Sequence, residues 1–250
     1  MRYFAELAYQ GTNYCGWQIQ PQQPSVQQTI QDALRTLLRQ PIEVAGCGRT
    51  DTGVHASQYF IHFDYEGTLH EKFLGRLNRF LPKDIAFYSI RAVKANAHTR
   101  FDASRRGYTY IITARKDPFF YPTAYYFPFF EQIDAEKLQA AAQLLMNYEE
   151  FFPFCKTNSD AKTMRCSMYQ AVWEWQPEQQ RLLFHVEANR FLRGMVRLIV
   201  GMCLEVSIGK MSLDEVKVAL DKQKRLPRSW SVPAQGLFLD KVVYPTALFL

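Results

Sequence analysis

Apolar and polar positions along the first hundred residues follow strand-like and helix-like periods in turn. Residues 2–9 alternate apolar and polar as a strand does. After a loop rich in glycine and glutamine, Ser25 is placed to cap a helix whose apolar residues recur at helical spacing up to Pro41. Further segments predict strands at 42–47, 58–65 and 85–93 and a short helix at 70–81. Strands and helices do not alternate regularly, which favours an antiparallel sheet backed by helices.

The second half of the chain has a similar set of elements, although no sequence repeat is visible. A strand at 107–115 leads into an aromatic, proline-containing connection, and Asp134 is placed to cap a helix that runs to about residue 147. The pattern then predicts a hairpin (168–176 and 181–188), an apolar helix (191–206), an amphipathic helix (213–220) and a closing strand (237–243). The break between the halves is expected near residues 100–106, giving domains at 1–104 and 105–250. Without a flexible linker there, a shared sheet is expected.

Composition excludes several classes of protein. The chain has 250 residues, 48% of them hydrophobic, which is enough for a sizeable core. A mean hydropathy of −0.26 and no long apolar run argue against a membrane-spanning helix, and the first residues lack a signal-peptide core. The five cysteines are scattered, which argues against a disulfide framework or a structural zinc site and favours the cytoplasm. The net charge of +6 raises the possibility of a polyanionic partner.

Three local clusters hold much of the positive charge. The first cluster is the pair Arg105-Arg106, which directly precedes a predicted strand. The second lies at 190–197, and the third lies at 222–228, after the amphipathic helix. The three arginines of the second cluster are spaced three and four residues apart, which predicts that they share one face of a helix among apolar neighbours. Any single cluster is consistent with a solvated face, but arginines beside apolar residues need carboxylates or phosphates as partners. The second and third clusters are Arg190, Arg193 and Arg197, and Lys222, Lys224, Arg225 and Arg228.

A loop at 48–56, between two predicted strands, has the residues for chemistry. Glycines at 46, 48 and 53 allow sharp turns and close approach to a ligand. Asp51 lies at its centre, and the residues alone leave four roles open: nucleophile, general base, metal ligand or turn former. A metal site is disfavoured because the nearby cysteine and histidines lack ligand spacing. His55, which precedes a small alanine, is better explained as a packed or hydrogen-bonded residue than as a catalytic one.

Five collinear motifs resemble those of the TruA-type tRNA pseudouridine synthases, and they span nearly the whole chain. The central one is Gly48-Arg-Thr-Asp-x-Gly-Val-His-Ala56, which resembles that family's signature loop. The departures from the family pattern are Gln10, Thr52, Arg190 and Cys155-Lys156, and none of them removes the central aspartate. The other four motifs are Tyr9–Gln18, Arg100–Tyr110, Ala188–Arg197 and Pro233–Leu239.

The resemblance implies an isomerase that converts uridine to pseudouridine at positions 38, 39 and 40 of the tRNA anticodon stem-loop after flipping the base out. It implies that Asp51 is the nucleophile, that Arg197 keeps it ionised, and that Arg49 fills the vacated stack. Tyr108 would pack on the flipped base, although Tyr110 and Tyr14 fit equally by composition. Leu237 would line the pocket, although a core leucine is the simpler explanation of that residue. The basic residues expected at the RNA backbone are Arg105, Arg106, Arg190, Arg193, Lys222, Lys224, Arg225 and Arg228.

The resemblance also implies an α+β fold of two ferredoxin-like (RRM-like) halves that share a mainly antiparallel sheet flanked by helices, with the active cleft between them. It implies tRNA as partner, a homodimer, and no metal, small-molecule cofactor or membrane. Two alternatives are a non-catalytic tRNA-binding or RNA-chaperone protein of the same fold and an unrelated aspartate-dependent hydrolase. The first is disfavoured by the intact set of site residues, and the second by the absence of a motif-placed second carboxylate.

Overall fold

The computed structural model describes residues 1–157 and 162–250 and divides into two compact units. The first unit comprises residues 1–106 and 238–250, and the second comprises residues 107–237. The described residues contain five α-helices and nine strands, and most strand pairs are antiparallel. The α+β class expected from the sequence is therefore confirmed, whereas the ferredoxin-like character of each half stays a prediction.

The first unit is built on a sheet with strand order β4–β1–β3–β9, and β2 pairs with β3. Strand β1 is antiparallel to both β3 and β4, while β3 and β9 are parallel where His55 lies opposite Phe238. The elements of this unit are β1 (Arg2–Tyr9), α1 (Val26–Leu38), β2 (Ala45–Gly46), β3 (His55–Asp64), α2 (Phe73–Phe80), β4 (Ile85–Val93) and β9 (Leu237–Val243), the last belonging to it from Phe238 onward.

The second unit has strand order β5–β8–β7, with β6 parallel to β5 and the β7–β8 hairpin antiparallel. Helix α4 is its most buried element, because its residues are apolar on nearly every side. The elements are β5 (Arg105–Thr113, in this unit from Gly107 onward), β6 (Tyr125–Tyr126), α3 (Ala135–Leu144), β7 (Met168–Gln176), β8 (Arg181–Ala188), α4 (Met195–Ser207) and α5 (Leu213–Asp221).

Local signals explain most element boundaries. The Ser25 side chain accepts a hydrogen bond from the Gln28 amide (3.2 Å), and Asp134 accepts from the amides of Glu136 and Lys137 (3.1 Å each), so both predicted helix caps are confirmed. Helix α1 stops where Arg39 adopts a left-handed conformation (φ 55°), two residues before Pro41. The strands predicted at 2–9, 85–93, 168–176, 181–188 and 237–243 are confirmed residue for residue.

Two predicted elements are corrected by tertiary structure. The strand expected at 42–47 is reduced to Ala45–Gly46, where it pairs with β3. The apolar helix expected from residue 191 begins only at Met195, because Gly194 adopts a left-handed conformation (φ 71°) that interrupts the helical backbone. Arg190 and Arg193 therefore lie before the helix, and the expectation that they share one helix face with Arg197 is wrong.

The domains expected at 1–104 and 105–250 stay a prediction. The compact units differ from them because residues 238–250 join the first unit, where β9 pairs with β3. Among the described residues, no helix is both long and apolar enough to cross a membrane.

Candidate active site

Asp51 lies in a loop between β2 and β3, where its side chain is partly exposed. The amide of Val54 donates to the carbonyl of Asp51 (3.1 Å), which closes a turn. Gly53 supplies the left-handed residue of that turn (φ 76°). The backbone of Asp51 is thus part of a turn, which was one of the four roles considered, and a turn formed by the backbone does not exclude the other three for the side chain.

The segment that follows β1 holds this loop in place. The amide of Trp17 donates to the Thr50 carbonyl (3.2 Å), and the amide of Gly53 donates to the Tyr14 carbonyl (3.3 Å). The Tyr9 hydroxyl and Thr50 Oγ1 share a buried hydrogen bond of 2.9 Å. Residues on both sides of Asp51 are therefore tied to the motif at 9–18.

Two glycines in this motif are required by the close approach of the loop. A Cβ atom on Gly11 would lie 2.0 Å from the carbonyl oxygen of Val54. A Cβ atom on Gly16 would lie 2.5 Å from the Thr50 carbonyl oxygen, and Gly16 has a positive φ of 86°. Any side chain at either position would push the two segments apart, so the first motif serves to seat the aspartate loop.

His55 has a structural role at the end of the loop. It is fully buried, its Nδ1 accepts a hydrogen bond from the Gly11 amide (2.9 Å), and its ring stacks on Phe238 with centroids 4.7 Å apart. The prediction that His55 is packed and hydrogen-bonded is confirmed.

The glycines expected to approach a ligand differ in their surroundings. A Cβ atom on Gly46 would lie 2.1 Å from the Tyr59 hydroxyl and 2.6 Å from the Trp17 ring, so this glycine is required by internal packing. Apart from Gly48 itself and its two chain neighbours, no heavy atom of the described residues lies within 4 Å of a Cβ atom on Gly48, so internal packing does not require a glycine there. Gly53, as described above, serves the turn.

Cys47 is the other potential nucleophile of the loop. Complete burial raises the pKa of its thiol to about 11, although the nearby Arg106 acts in the opposite direction. The thiol is therefore protonated at neutral pH, and Asp51 is the better nucleophile of the two.

Arg49 and Arg106 lie near the loop in contrasting environments. Arg49 is exposed and forms no hydrogen bond or ion pair with any residue that the structure describes. The Arg106 guanidinium donates to the carbonyls of Cys47 (2.9 and 3.2 Å), Arg100 (2.6 Å) and Ala103 (3.3 Å). Arg106 braces the start of the loop, and its neighbour Arg105 is half-buried.

The second unit contains the predicted aromatic residue. Tyr108, on β5, is half-buried, and its ring meets Phe191 edge to face with centroids 5.1 Å apart. Tyr110 is fully buried and donates to the Pro233 carbonyl (2.7 Å), and Tyr14 is buried and donates to Asp84 Oδ1 (2.8 Å). Both alternatives to Tyr108 are therefore buried and occupied by structural hydrogen bonds.

Arg197 lies in the first turn of α4 and is anchored to the segment before β9. Its Nε donates to the Val232 carbonyl (2.6 Å), while the Val232 amide donates back to the Arg197 carbonyl (3.3 Å). The side chain is half-buried. Leu237, at the start of β9, is 6% exposed, in agreement with a core leucine.

Most of the remaining basic residues are exposed, and two of the exposed ones, Arg225 and Arg228, have internal partners. Lys222, Lys224 and Arg193 are exposed, and Arg190 is half-buried. The Arg225 guanidinium donates to the Cys155 carbonyl and lies over the Phe152 ring (4.7 Å). Arg228 Nε lies 2.7 Å from Glu205 Oε2. One of the basic residues at 222–228 is therefore paired with a carboxylate that is distant in the sequence.

No group of three or more histidine, cysteine, aspartate or glutamate residues within 1–157 and 162–250 could hold a metal ion. Sequence reasoning missed Tyr9 and Thr50 as supports of the loop. The first motif was visible in the sequence, but its periodicity indicated only a strand and a loop, and nothing local shows which carbonyl a distant amide will reach.

Comparisons with known proteins agree in the family they indicate. Residues 141–245 match a family model described as tRNA pseudouridine synthase. The chain is 43% identical to "tRNA pseudouridine synthase A" of Porphyromonas gingivalis, covering 100% of this chain and 99% of the relative. It is 45% identical to the protein of that name from Bacteroides fragilis (99% and 98%) and 33% identical to that from Clostridium acetobutylicum (95% and 97%).

Proposed function

The chain belongs to the tRNA pseudouridine synthase A family, and on this premise we propose that it isomerises uridine to pseudouridine at positions 38, 39 and 40 of the tRNA anticodon arm. It is an isomerase that acts on tRNA. The reaction breaks the N1–C1′ glycosidic bond, rotates the base and forms a C5–C1′ bond. The proton on C5 is lost and N1 gains one, so no atom or electron is gained overall.

Asp51 is the proposed nucleophile. The reaction needs a carboxylate that can form and release a covalent or ion-pair adduct, and the aspartate side chain supplies one. The observation that supports the proposal most is the loop itself. Its backbone on both sides of Asp51 is fixed by hydrogen bonds to Trp17 and Tyr14, while the Asp51 side chain stays partly exposed.

Arg197 is proposed to keep Asp51 ionised once RNA covers the site and excludes water, because a nearby cation stabilises the charged carboxylate. The hydrogen bond from its Nε to the Val232 carbonyl (2.6 Å) supports this role, since it restricts the guanidinium to a defined position. A restrained cation loses less conformational entropy when it stabilises an anion than a freely moving one does.

The target base must leave the stack to reach a loop aspartate, at a cost of a few kcal/mol. Arg49 is proposed to occupy the vacated position. Its guanidinium supports this, because it is exposed and forms no hydrogen bond or ion pair with any described residue. Tyr108 is proposed to pack on the flipped base and Leu237 to line the pocket. The half-exposed ring of Tyr108 supports its role, because Tyr110 and Tyr14 are both buried and occupied.

The RNA backbone is proposed to lie along the basic residues, with recognition by shape more than by base sequence. Exposed Arg193, Lys222 and Lys224 are best placed for such contacts. Arg105, Arg106, Arg190, Arg225 and Arg228 complete the proposed set, and internal partners are seen for Arg106, Arg225 and Arg228. Ferredoxin-like halves, a homodimer, a cytoplasmic location and the absence of a cofactor complete the proposal.

Replacing Asp51 by asparagine tests the chemistry. Asp51→Asn keeps the size of the side chain but removes the anionic nucleophile, so we expect no pseudouridine to form, while tRNA affinity stays close to that of the unchanged protein. Formation of pseudouridine in a tRNA transcript and binding of the same transcript are the two measurements. Asp32→Asn, on an exposed position of α1, is the matched control and should be fully active. Wild-type turnover by Asp51→Asn would show that another residue is the nucleophile.

Mapping pseudouridine in tRNA from cells with and without the protein tests the target positions. We expect the modification at 38, 39 and 40 to disappear when the protein is removed and to return with the unchanged chain but not with Asp51→Asn. Unchanged modification at all three positions would favour the non-catalytic tRNA-binding protein instead.

A further inference from the structure

Tyr9 and Thr50 connect the aspartate loop to the end of strand β1. Tyr9 is the last residue of β1 and is 4% exposed, and Thr50, immediately before Asp51, is 9% exposed. Their hydroxyl oxygens lie 2.9 Å apart in a buried hydrogen bond. A buried hydroxyl that lacks a partner is destabilising, so this bond constrains both side chains.

The ring of Tyr9 is held from several directions. It meets Tyr59 edge to face (centroids 5.4 Å apart) and lies 6.2 Å from the Trp17 ring. Its backbone pairs with Ala56 on one neighbouring strand and with Ile85 on the other. The position of the Tyr9 hydroxyl is therefore set by the sheet and by aromatic packing, and not by the loop it contacts.

Thr50 is restrained at two points by the first motif. Its carbonyl accepts from the Trp17 amide (3.2 Å), and its side chain bonds to Tyr9, so both the backbone and the side chain of the residue before Asp51 are held. The carbonyl contact alone leaves the peptide free to pivot about one hydrogen bond. The hydroxyl contact removes that freedom, which matters because small displacements of a reacting group reduce rates strongly.

We propose that Tyr9 is a positioning residue, whose hydroxyl acts through Thr50 to hold the Asp51 carboxylate in the orientation that the isomerisation requires. The proposal rests on the proposed role of Asp51 as the nucleophile. Tyr9 and Thr50 are both buried, so their contribution is to the rate of the chemical step and not to the binding of tRNA.

Tyr9→Phe removes one oxygen atom and keeps the aromatic packing. We expect kcat to fall roughly tenfold and KM for tRNA to stay unchanged. A tenfold fall in kcat corresponds to an increase of about 1.4 kcal/mol in the activation free energy. Thr50→Val should produce a similar loss, and Thr50→Ser, which retains the hydroxyl, should restore most of the rate. The double variant Tyr9→Phe/Thr50→Val should be no slower than the slower single variant, because both changes break the same hydrogen bond.

Tyr3→Phe is the matched control, since it makes the same change on the same strand. The Tyr3 hydroxyl contacts the Gly67 carbonyl at 3.4 Å, away from the aspartate loop, so kcat should not change. The thermal midpoint of each variant is measured alongside, so that a rate loss in a folded protein is separated from partial unfolding. If Tyr9→Phe does not fold, the comparison of Thr50→Val with Thr50→Ser decides the question.

Wild-type kcat in Tyr9→Phe, or equal kcat in Thr50→Val and Thr50→Ser, would overturn the positioning role. A rise in KM at constant kcat would overturn it as well. Asp51→Asn distinguishes the two proposals. If that variant is active, the proposed function is wrong. If it is inactive while Tyr9→Phe turns over at the wild-type rate, only the positioning role is wrong.

Discussion

At the scale of single residues, the aspartate loop depends on which positions lack a side chain. Gly46 and Gly48 lie two residues apart and both have φ angles that any residue can adopt. A Cβ atom at Gly46 would meet the Tyr59 hydroxyl and the Trp17 ring, whereas one at Gly48 would meet no heavy atom of the described residues within 4 Å other than those of Gly48 and its chain neighbours. One glycine is therefore needed by the fold and the other is not.

We expect Gly46→Ala and Gly48→Ala to have opposite effects on stability. At Gly46 the new methyl group forces two buried rings to move, which typically lowers the free energy of unfolding by about 1–3 kcal/mol. At Gly48 the methyl group has room and reduces the entropy of the unfolded chain, so the free energy of unfolding should stay the same or rise by up to about 1 kcal/mol. Denaturant titration of both variants measures this. Equal destabilisation by the two changes would contradict the packing argument.

At the scale of elements, α4 is fixed against the segment at 230–232. Arg197 and Val232 exchange two hydrogen bonds, and one turn later a Cβ atom on Gly201 would lie 2.0 Å from the Trp230 carbonyl oxygen. The helix and the segment are in contact at both places. The position of the Arg197 guanidinium therefore depends on a glycine four residues away.

Gly201→Ala should destabilise the protein even though alanine is the better helix former. The new methyl group would displace α4 from the Trp230 carbonyl, and because Arg197 is bonded to the same segment, pseudouridine formation should fall as well. Gly75→Ala in α2 is the matched control. It is exposed, has open space around it, and should raise the free energy of unfolding by roughly 0.5–1 kcal/mol without changing activity. Thermal unfolding and turnover of both variants test this, and a stabilised, fully active Gly201→Ala would contradict it.

At the scale of the whole molecule, the surplus of six positive charges is less informative than its distribution. Arg106, Arg225 and Arg228 are engaged with carbonyl groups or with Glu205, although the last two are also exposed. The side chains of Lys222 and Lys224 are exposed and form no hydrogen bond or ion pair with any described residue. Exposed cations release counterions from RNA when they contact phosphates, and internally paired ones contribute less. The lysines should thus account for more of the salt dependence of binding.

We expect affinity for tRNA to fall steeply as the salt concentration rises. Lys222→Ala combined with Lys224→Ala should weaken binding uniformly across tRNA substrates and reduce the slope of log affinity against log salt by about 1–2. Lys137→Ala, which removes an exposed lysine paired with Asp134, is the matched control and should leave the slope unchanged. Binding isotherms at several salt concentrations are the measurement. A flat salt profile would show that these clusters do not contact phosphates.

The sequence by itself determined most elements and pointed to Asp51 as the candidate reactive group. Helix caps at Ser25 and Asp134 and the period of apolar residues act within a few positions along the chain, so they can be read without knowing the fold. The five collinear motifs together indicated the family, because five matches in the same order are specific, whereas one match is not. Each of these signals is contained in a short stretch of the sequence.

Only the tertiary structure decided which distant residues hold the loop around Asp51 and which carboxylate pairs with a basic residue. Tyr9 and Thr50 are 41 residues apart, Arg106 and Cys47 are 59 apart, and Glu205 of α4 pairs with Arg228, 23 residues further along the chain. Hydrogen bonds and ion pairs at such separations depend on how strands and helices pack. Periodicity along the chain contains no information about that packing. The start of α4 was missed because a glycine inside an apolar run is compatible with a helix until its φ is known.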